Sequence, residues 1–178
     1  MRSKILVFSI LAITSGLLAQ EQRPIPSQAV ERIVKEVRHE ILMLPYYGVF
    51  DDIKYSVSGY DVTLTGQVTN PTLKRDAENV AKHIEGVEKV NNQIEVLPPS
   101  SMDDGLRLRL YRAIYGFPAL EKYAMPVIKP IRVIVKNGNV TLEGVVDNKA
   151  DRDLAALRAN GVPGIFSVTN HLQVVAPK

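Results

Sequence analysis

The side chains that could do chemistry in this chain are few, and their spacing does not favour it. His39, His83 and His171 are the three histidines. They are isolated from one another, whereas a metal site needs several N, S or O donors converging on one point. No His-x-x-x-His pair, calcium-type acidic loop or Gly-x-Ser-x-Gly nucleophile motif occurs. Asp51-Asp52, Asp103-Asp104 and Asp151-Arg152-Asp153 fall at turns and helix starts, where solvated or capping carboxylates are expected. Gly161-Val162-Pro163-Gly164 is formally a GxxG, the phosphate clamp of some RNA-binding modules. Its glycines join a helix to a strand and hold no Lys or Arg between them, so it is read as a helix ending and nucleic acid is not an expected partner. Cysteine is absent, which excludes thiol chemistry, disulfides and a lipidated cysteine. The residues therefore point to a non-enzymatic protein with no cofactor and no metal.

What the sequence does carry is a repeat. Val62-Thr63-Leu64-Thr65-Gly66-Gln67-Val68 returns as Val140-Thr141-Leu142-Glu143-Gly144-Val145-Val146, at a shift of 78. At the same shift Asn70 meets Asn148, Ala77 meets Ala155, Ala81 meets Ala159, Gly86 meets Gly164, and Asn92 meets Asn170. Two copies are too few for a solenoid, so each is expected to fold largely on its own.

The elements of each copy follow from hydrophobic period. Val30, Ile33, Val34, Val37, Ile41 and Leu44 form one helical face, opened by Ser27 and ended by Pro45. The aromatic loop 46–50 leads to a hairpin of residues 53–57 and 62–68, with Gly66 at a bulge or a close backbone approach. Asn70-Pro71 begins a helix whose buried face is Leu73, Ala77, Val80, Ala81 and Ile84, with Gly86 in the left-handed position that ends it. Val87, Val90, Ile94 and Val96 form a return strand. In the second copy Ser101 and Asp104 fit a capping box, Leu106, Leu110, Ala113 and Ile114 face the core, and Arg107, Arg109 and Arg112 are expected in solvent. The hairpin of 131–135 and 140–146 turns on Asn137-Gly138, and Asn148 with Asp151 caps the next helix. The fold class is α+β: two tandem αββαβ modules, 27–98 and 101–176, each a three-stranded mixed sheet on two helices.

The ends and the charge bear on location. Arg2 and Lys4 followed by an apolar run to Ala19 make residues 1–19 a secretory signal peptide, with 20–26 a linker. Gln20 stands where a lipoprotein would have its cysteine. Taking Arg2 and Lys4 from the 22 basic side chains leaves 20 against 19 acidic. The remainder is uneven: residues 20–99 hold 9 basic and 12 acidic side chains, residues 100–178 hold 11 and 7.

The motifs Val-Thr-Leu-x-Gly, a helix with Ala77 and Ala81 or Ala155 and Ala159, then Gly86-Val87-Glu88-Lys89-Val90-Asn91-Asn92 or Gly164-Ile165-Phe166-Ser167-Val168-Thr169-Asn170, resemble the BON-domain family of bacterial envelope proteins. The resemblance covers nearly all of the chain after the signal. It implies tandem αββαβ modules in the periplasm, attachment to anionic phospholipid, a part in envelope integrity or osmotic tolerance, and no catalysis. A chaperone-like protein that engages other envelope proteins is the alternative.

One difference between the copies locates a candidate contact surface. Tyr47-Gly48 matches Tyr115-Gly116 at a shift of 68, but the hairpins that follow match at 78, so the second copy carries ten extra residues within 117–130. Phe117, Tyr123 and Met125 supply apolar surface there, beside the cations Lys122, Lys129 and Arg132. This combination suits the interface of an anionic membrane. On the sequence alone, replacing the three cations with Ser is expected to weaken vesicle binding with little loss of folding; the other expectation is that the segment packs on its own module.

Overall fold

The computed structural model describes residues 27–175; the expected signal peptide (1–19) and linker (20–26) lie outside the described residues. The elements of the first module are α1 (Ser27–Leu42), β1 (Asp52–Ser58), β2 (Asp61–Val68), α2 (Pro71–Lys82), β3 (Lys89–Asn92) and β4 (Glu95–Val96). Those of the second are α3 (Ser101–Tyr115), a short 3-10 helix (Pro118–Tyr123), β5 (Ile131–Lys136), β6 (Asn139–Val146), α4 (Lys149–Asn160), β7 (Ser167–Asn170) and β8 (Gln173–Val174). The architecture is α+β, with two tandem modules of the expected element order.

In each module the repeated strand is central. β2 pairs antiparallel with β1 and parallel with β3 and then β4; β6 does the same with β5, β7 and β8. The expected single return strand is thus two short strands in one lane. The break has a side-chain cause repeated in both modules: the Asn92 amide donates to the Lys74 carbonyl while its oxygen accepts the Ile94 N–H, and Asn170 does the same with Arg152 and Leu172. Each asparagine ties a helix to a strand that has just left the ladder. These are fold-forming contacts.

Gly66 sits in unbroken register opposite Ile53, so it marks a close approach rather than a bulge. Its φ is +111°, and a Cβ there would stand 2.1 Å from the Asp52 carbonyl oxygen; at Gly144 the values are +117° and 2.0 Å from Pro130. Asn70 and Asn148 cap α2 and α4 as expected, the latter through a reciprocal pair with Asp151. Gly86, in contrast, does not end α2, whose cap is His83; it supplies the left-handed turn further on, against Ile33.

The α3 start differs from expectation by one residue, and the difference is instructive. Ser100, not Ser101, caps the helix through the Asp103 N–H. Asp103 is then buried, and its carboxylate accepts the N–H groups of Asn137 and Gly138, holding the hairpin turn. Asp51 is also buried and binds Gly48, Thr69 N–H and Thr69 Oγ1. These acids are internal ties, not solvated caps. Arg107, expected in solvent, is buried: it donates to the Val135 carbonyl at 2.7 Å and pairs with Asp104.

The modules have separate cores, one built on Ile33, Val37, Leu64 and Leu73 and the other on Leu106, Leu110, Leu120 and Leu142. They are nevertheless joined. Val49 and Phe50, from the loop ahead of β1, pack on the second core. The sheet faces turned away from the helices meet: Lys54 bridges to Glu143 at 2.9 Å and Lys136 to Glu95 at 2.5 Å. Ile134, on that face of β5, is 2% exposed. Val133 N–H reaches the Val49 carbonyl at 2.8 Å, and Arg132 donates to the Gly48 carbonyl at 2.7 Å while lying 4.5 Å from the Tyr47 ring centroid.

Two outcomes follow for stability. Gly66→Val and Gly144→Val each cost about 2 to 3 kcal/mol through backbone strain and overlap with a carbonyl, seen as a lower urea midpoint. Arg132→Ser costs about 2 kcal/mol, because it removes a charge-assisted bond to the Gly48 carbonyl and the packing of the guanidinium on Tyr47.

Candidate functional site

The ten-residue insertion folds as the 3-10 helix followed by a loop, and its residues divide into those that hold it and those that present a surface. Leu120 and Tyr123 enter the second core. Tyr123 Oη donates to Asp151 Oδ2 at 2.6 Å and accepts the Asp147 N–H at 2.8 Å. The first module meets the same need differently, since Thr69, the counterpart of Asp147 at the repeat shift, gives its N–H to Asp51. The inserted tyrosine has taken over a carboxylate's work.

Lys122 lies across this arrangement, with Nζ 2.7 Å from both Asp147 and Asp151 and 4.9 Å from the Tyr123 ring centroid. Those two carboxylates raise its pKa. Burial, then the bond to Asp151, pushes the Tyr123 hydroxyl up to about 12. Burial works to raise the Asp151 carboxyl, but Lys122, Tyr123 and Asn148 outweigh it and hold the group below its ordinary 3.8. The Lys122 charge is therefore spoken for locally.

Lys129 is different. Its Nζ donates to the carbonyls of Ala124 and Pro126, both at 2.7 Å, which closes the loop without neutralising the cation. Beyond it the loop carries Met125 at 80% exposure, Val127 at 97% and Ile128 at 40%. Phe117 is half-buried at the start of the insertion, with the Arg158 guanidinium 4.7 Å from its ring centroid. Arg132 is buried between the modules, as described above. Of the six residues singled out from sequence, Met125 and Lys129 stand at the exposed loop, while Phe117, Lys122, Tyr123 and Arg132 are engaged in packing or pairing.

Sequence reasoning left out the rest of the surface. Val145 and Val175 are 45% and 49% exposed. A cleft of about 340 Å³ is lined by Lys122, Tyr123, Pro126, Pro130, Val145 and Val175 among others. It shares Pro130 and Val145 with a second cleft of about 410 Å³ that takes in Ile128, Lys129, Arg38 and Leu42. Val145 was detectable: it breaks the polar–apolar alternation of its strand, where the first copy has Gln67. Among the described residues no group of three or more His, Asp or Glu is placed to hold a metal. His83 faces the Asn79 carbonyl and His171 faces Glu143.

The residues at this surface offer apolar contact and positive charge rather than a reactive group, and the fold that presents them is repeated in sequence and in structure. A family model for the BON domain matches residues 29–98 and 119–176. The chain belongs to the BON-domain family. BON domains are membrane- or protein-interaction modules of envelope-associated proteins, generally without catalysis. No curated protein matches the chain in sequence. Among solved structures it is similar to CdsD, a structural protein of the type III secretion system of Chlamydia trachomatis, at 13% identity over 82% of this chain and 93% of that one, with a TM-score of 0.31. The C-terminal domain of the same protein aligns at 13% identity over 81% of this chain and 98% of that one, with a TM-score of 0.29. Likeness at that level carries no weight for function. No helix among the described residues is long and apolar enough to cross a membrane.

Asp151 supplies a pH test. A depressed carboxyl pKa contributes stability that is present above its ordinary value of 3.8 and is lost as the pH falls through the lower folded value. Asp151→Asn should therefore flatten the acid limb of a stability–pH profile. Tyr123→Phe should lower stability by about 1 to 2 kcal/mol at neutral pH, because the Asp147 N–H loses its acceptor.

Proposed function

We propose that this BON-domain protein is exported to the periplasm and binds, without catalysis, to anionic phospholipid at the cell envelope, supporting envelope integrity or osmotic tolerance. The observation that carries the reading is the loop after the 3-10 helix. Val127 is 97% exposed and Met125 80%, and a cation beside them, Lys129, is held by carbonyls alone. Exposed apolar side chains at a loop tip are costly in water unless they have somewhere to go, and the interfacial zone of a bilayer accepts them. A nearby cation adds about 1 kcal/mol of attraction to an anionic surface.

The loop is also closed by its own bonds, which holds its apolar side chains outward. Pro126 and Pro130 bracket it, and the Lys129 bonds to Ala124 and Pro126 close it. Apolar area supplies most of the binding, and charge supplies orientation: Lys122 is paired with carboxylates and Arg132 is buried, so neither is free to meet a headgroup. The alternative partner, an unfolded client protein, would use the same apolar side chains without a preference for anionic lipid.

Flotation with phosphatidylglycerol-rich vesicles separates these readings. Wild type should float at low salt and less at high salt. Met125→Ser with Val127→Ser should lose most flotation with unchanged thermal melting, since both side chains lie outside the core. Equal flotation of this pair of substitutions with wild type, or suppression of client aggregation with no vesicle binding, overturns the lipid reading.

A further inference from the structure

The first strand of each module lies at the edge of its sheet, and the two modules treat that edge differently. In β5 every second residue turns its backbone outward, away from β6, and each of the three has at least one outward group met, leaving the Val133 carbonyl and the Val135 N–H without a partner among the described residues. Tyr115 Oη engages both the N–H and the carbonyl of Ile131, Val49 accepts the Val133 N–H, and Arg107 caps the Val135 carbonyl. In β1 the corresponding residues at the repeat shift are Ile53, Tyr55 and Val57. Tyr47 Oη meets the Ile53 N–H at 3.2 Å, reproducing the N–H half of the first contact. Among the described residues, nothing meets the outward groups of Tyr55 and Val57.

The helix beside that edge explains the gap. Ile33 lies against Gly86 as Leu106 lies against Gly164, so the two helices correspond at a shift of 73 and the counterpart of Arg107 is Val34. Valine has no group to offer the Val57 carbonyl, and Val34 is 36% exposed beside the edge. An unpaired edge flanked by an exposed apolar side chain is a template for another strand.

We propose that this edge pairs with the same edge of a second copy, β1 antiparallel to β1 about a two-fold axis at Ser56. The register follows from which groups are free. Tyr55 of each copy exchanges both backbone bonds with Val57 of the other, giving four bonds, and Tyr47 stops the ladder at Ile53. The side chains suit this register. Tyr55 meets Val57, an aromatic with a β-branched residue; Ser56 meets Ser56; Lys54 meets Ser58, so no like charges stand opposite. Val34 of each copy lies at the flank. The contact is isologous and closes at a dimer. The helix-free faces are already occupied within each chain by the contact between its modules, so they do not compete for the second copy.

The chain has no cysteine, so a single introduced thiol reports the axis. Facing residues whose N–H groups point away from the partner strand have Cα atoms about 4.5 Å apart, within disulfide reach. Under a mild oxidant Ser56→Cys should give a covalent dimer, while Ser58→Cys, facing Lys54, should not. Ser56→Lys, at an exposed position, should place like charges across the axis and convert the dimer seen by sedimentation velocity to a monomer with an unchanged far-UV circular dichroism spectrum. A wild-type protein that stays monomeric throughout the accessible concentration range overturns the proposal. So does equal cross-linking by the two thiol variants, or a dimer indifferent to Ser56→Lys.

Discussion

Each module rests on one constraint: its central strand must give up every backbone group to neighbours on both sides. β2 and β6 satisfy this by an antiparallel partner on one side and a broken parallel lane on the other. The close approach that results leaves no room for a Cβ at Gly66 or Gly144, where a preceding carbonyl oxygen stands about 2 Å from where it would be. The two helices then cover one face, and alanines at 77, 81, 155 and 159 let α2 and α4 lie close to it. Once the centre is met, what remain are two sheet edges, the outer sides of the first strand and of the return lane. A tyrosine at or beyond the end of each first helix, Tyr115 or Tyr47, answers the first group on the first strand's edge.

Much of this was legible in the chain. The shift of 78 located the central strands, the second helices and the asparagine-bearing return strands, and the Asn-Gly turn and the asparagine caps were local signals that the structure repeats. The charged side chains misled, because a charge on a helix is ordinarily solvated. Arg107 lies one place from the buried Leu106, and nothing in its own turn reveals that the Val135 carbonyl, on a strand 28 residues away, is waiting for it. Asp103 and Asp51 are alike in this respect: each closes a turn distant in sequence or a junction that exists only after folding. Arg132 could not be placed at all from sequence, since its partners belong to the other module.

The insertion shows the same division between what holds and what presents. Its aromatic and basic residues, seen in a row, looked like one membrane-binding set. In three dimensions the hydroxyl of Tyr123 stands in for a carboxylate, Lys122 balances two aspartates, and the surface that remains is mostly aliphatic. Val145 and Val175 extend it from elements remote in the chain, which no local window could join.

The contact between the modules has direction. The first contributes a carbonyl from Val49, a carbonyl from Gly48 and the face of Tyr47; the second contributes an N–H from Val133 and the guanidinium of Arg132. At the repeat positions the first module offers Lys54 in place of Arg132, and Lys54 is bound elsewhere, to Glu143 and Asp52. The halves that arose as copies are therefore no longer interchangeable. A chain with their order exchanged would keep both cores and lose the joint, so gene duplication here has become a fixed grammar in which each module is legible only in its own place.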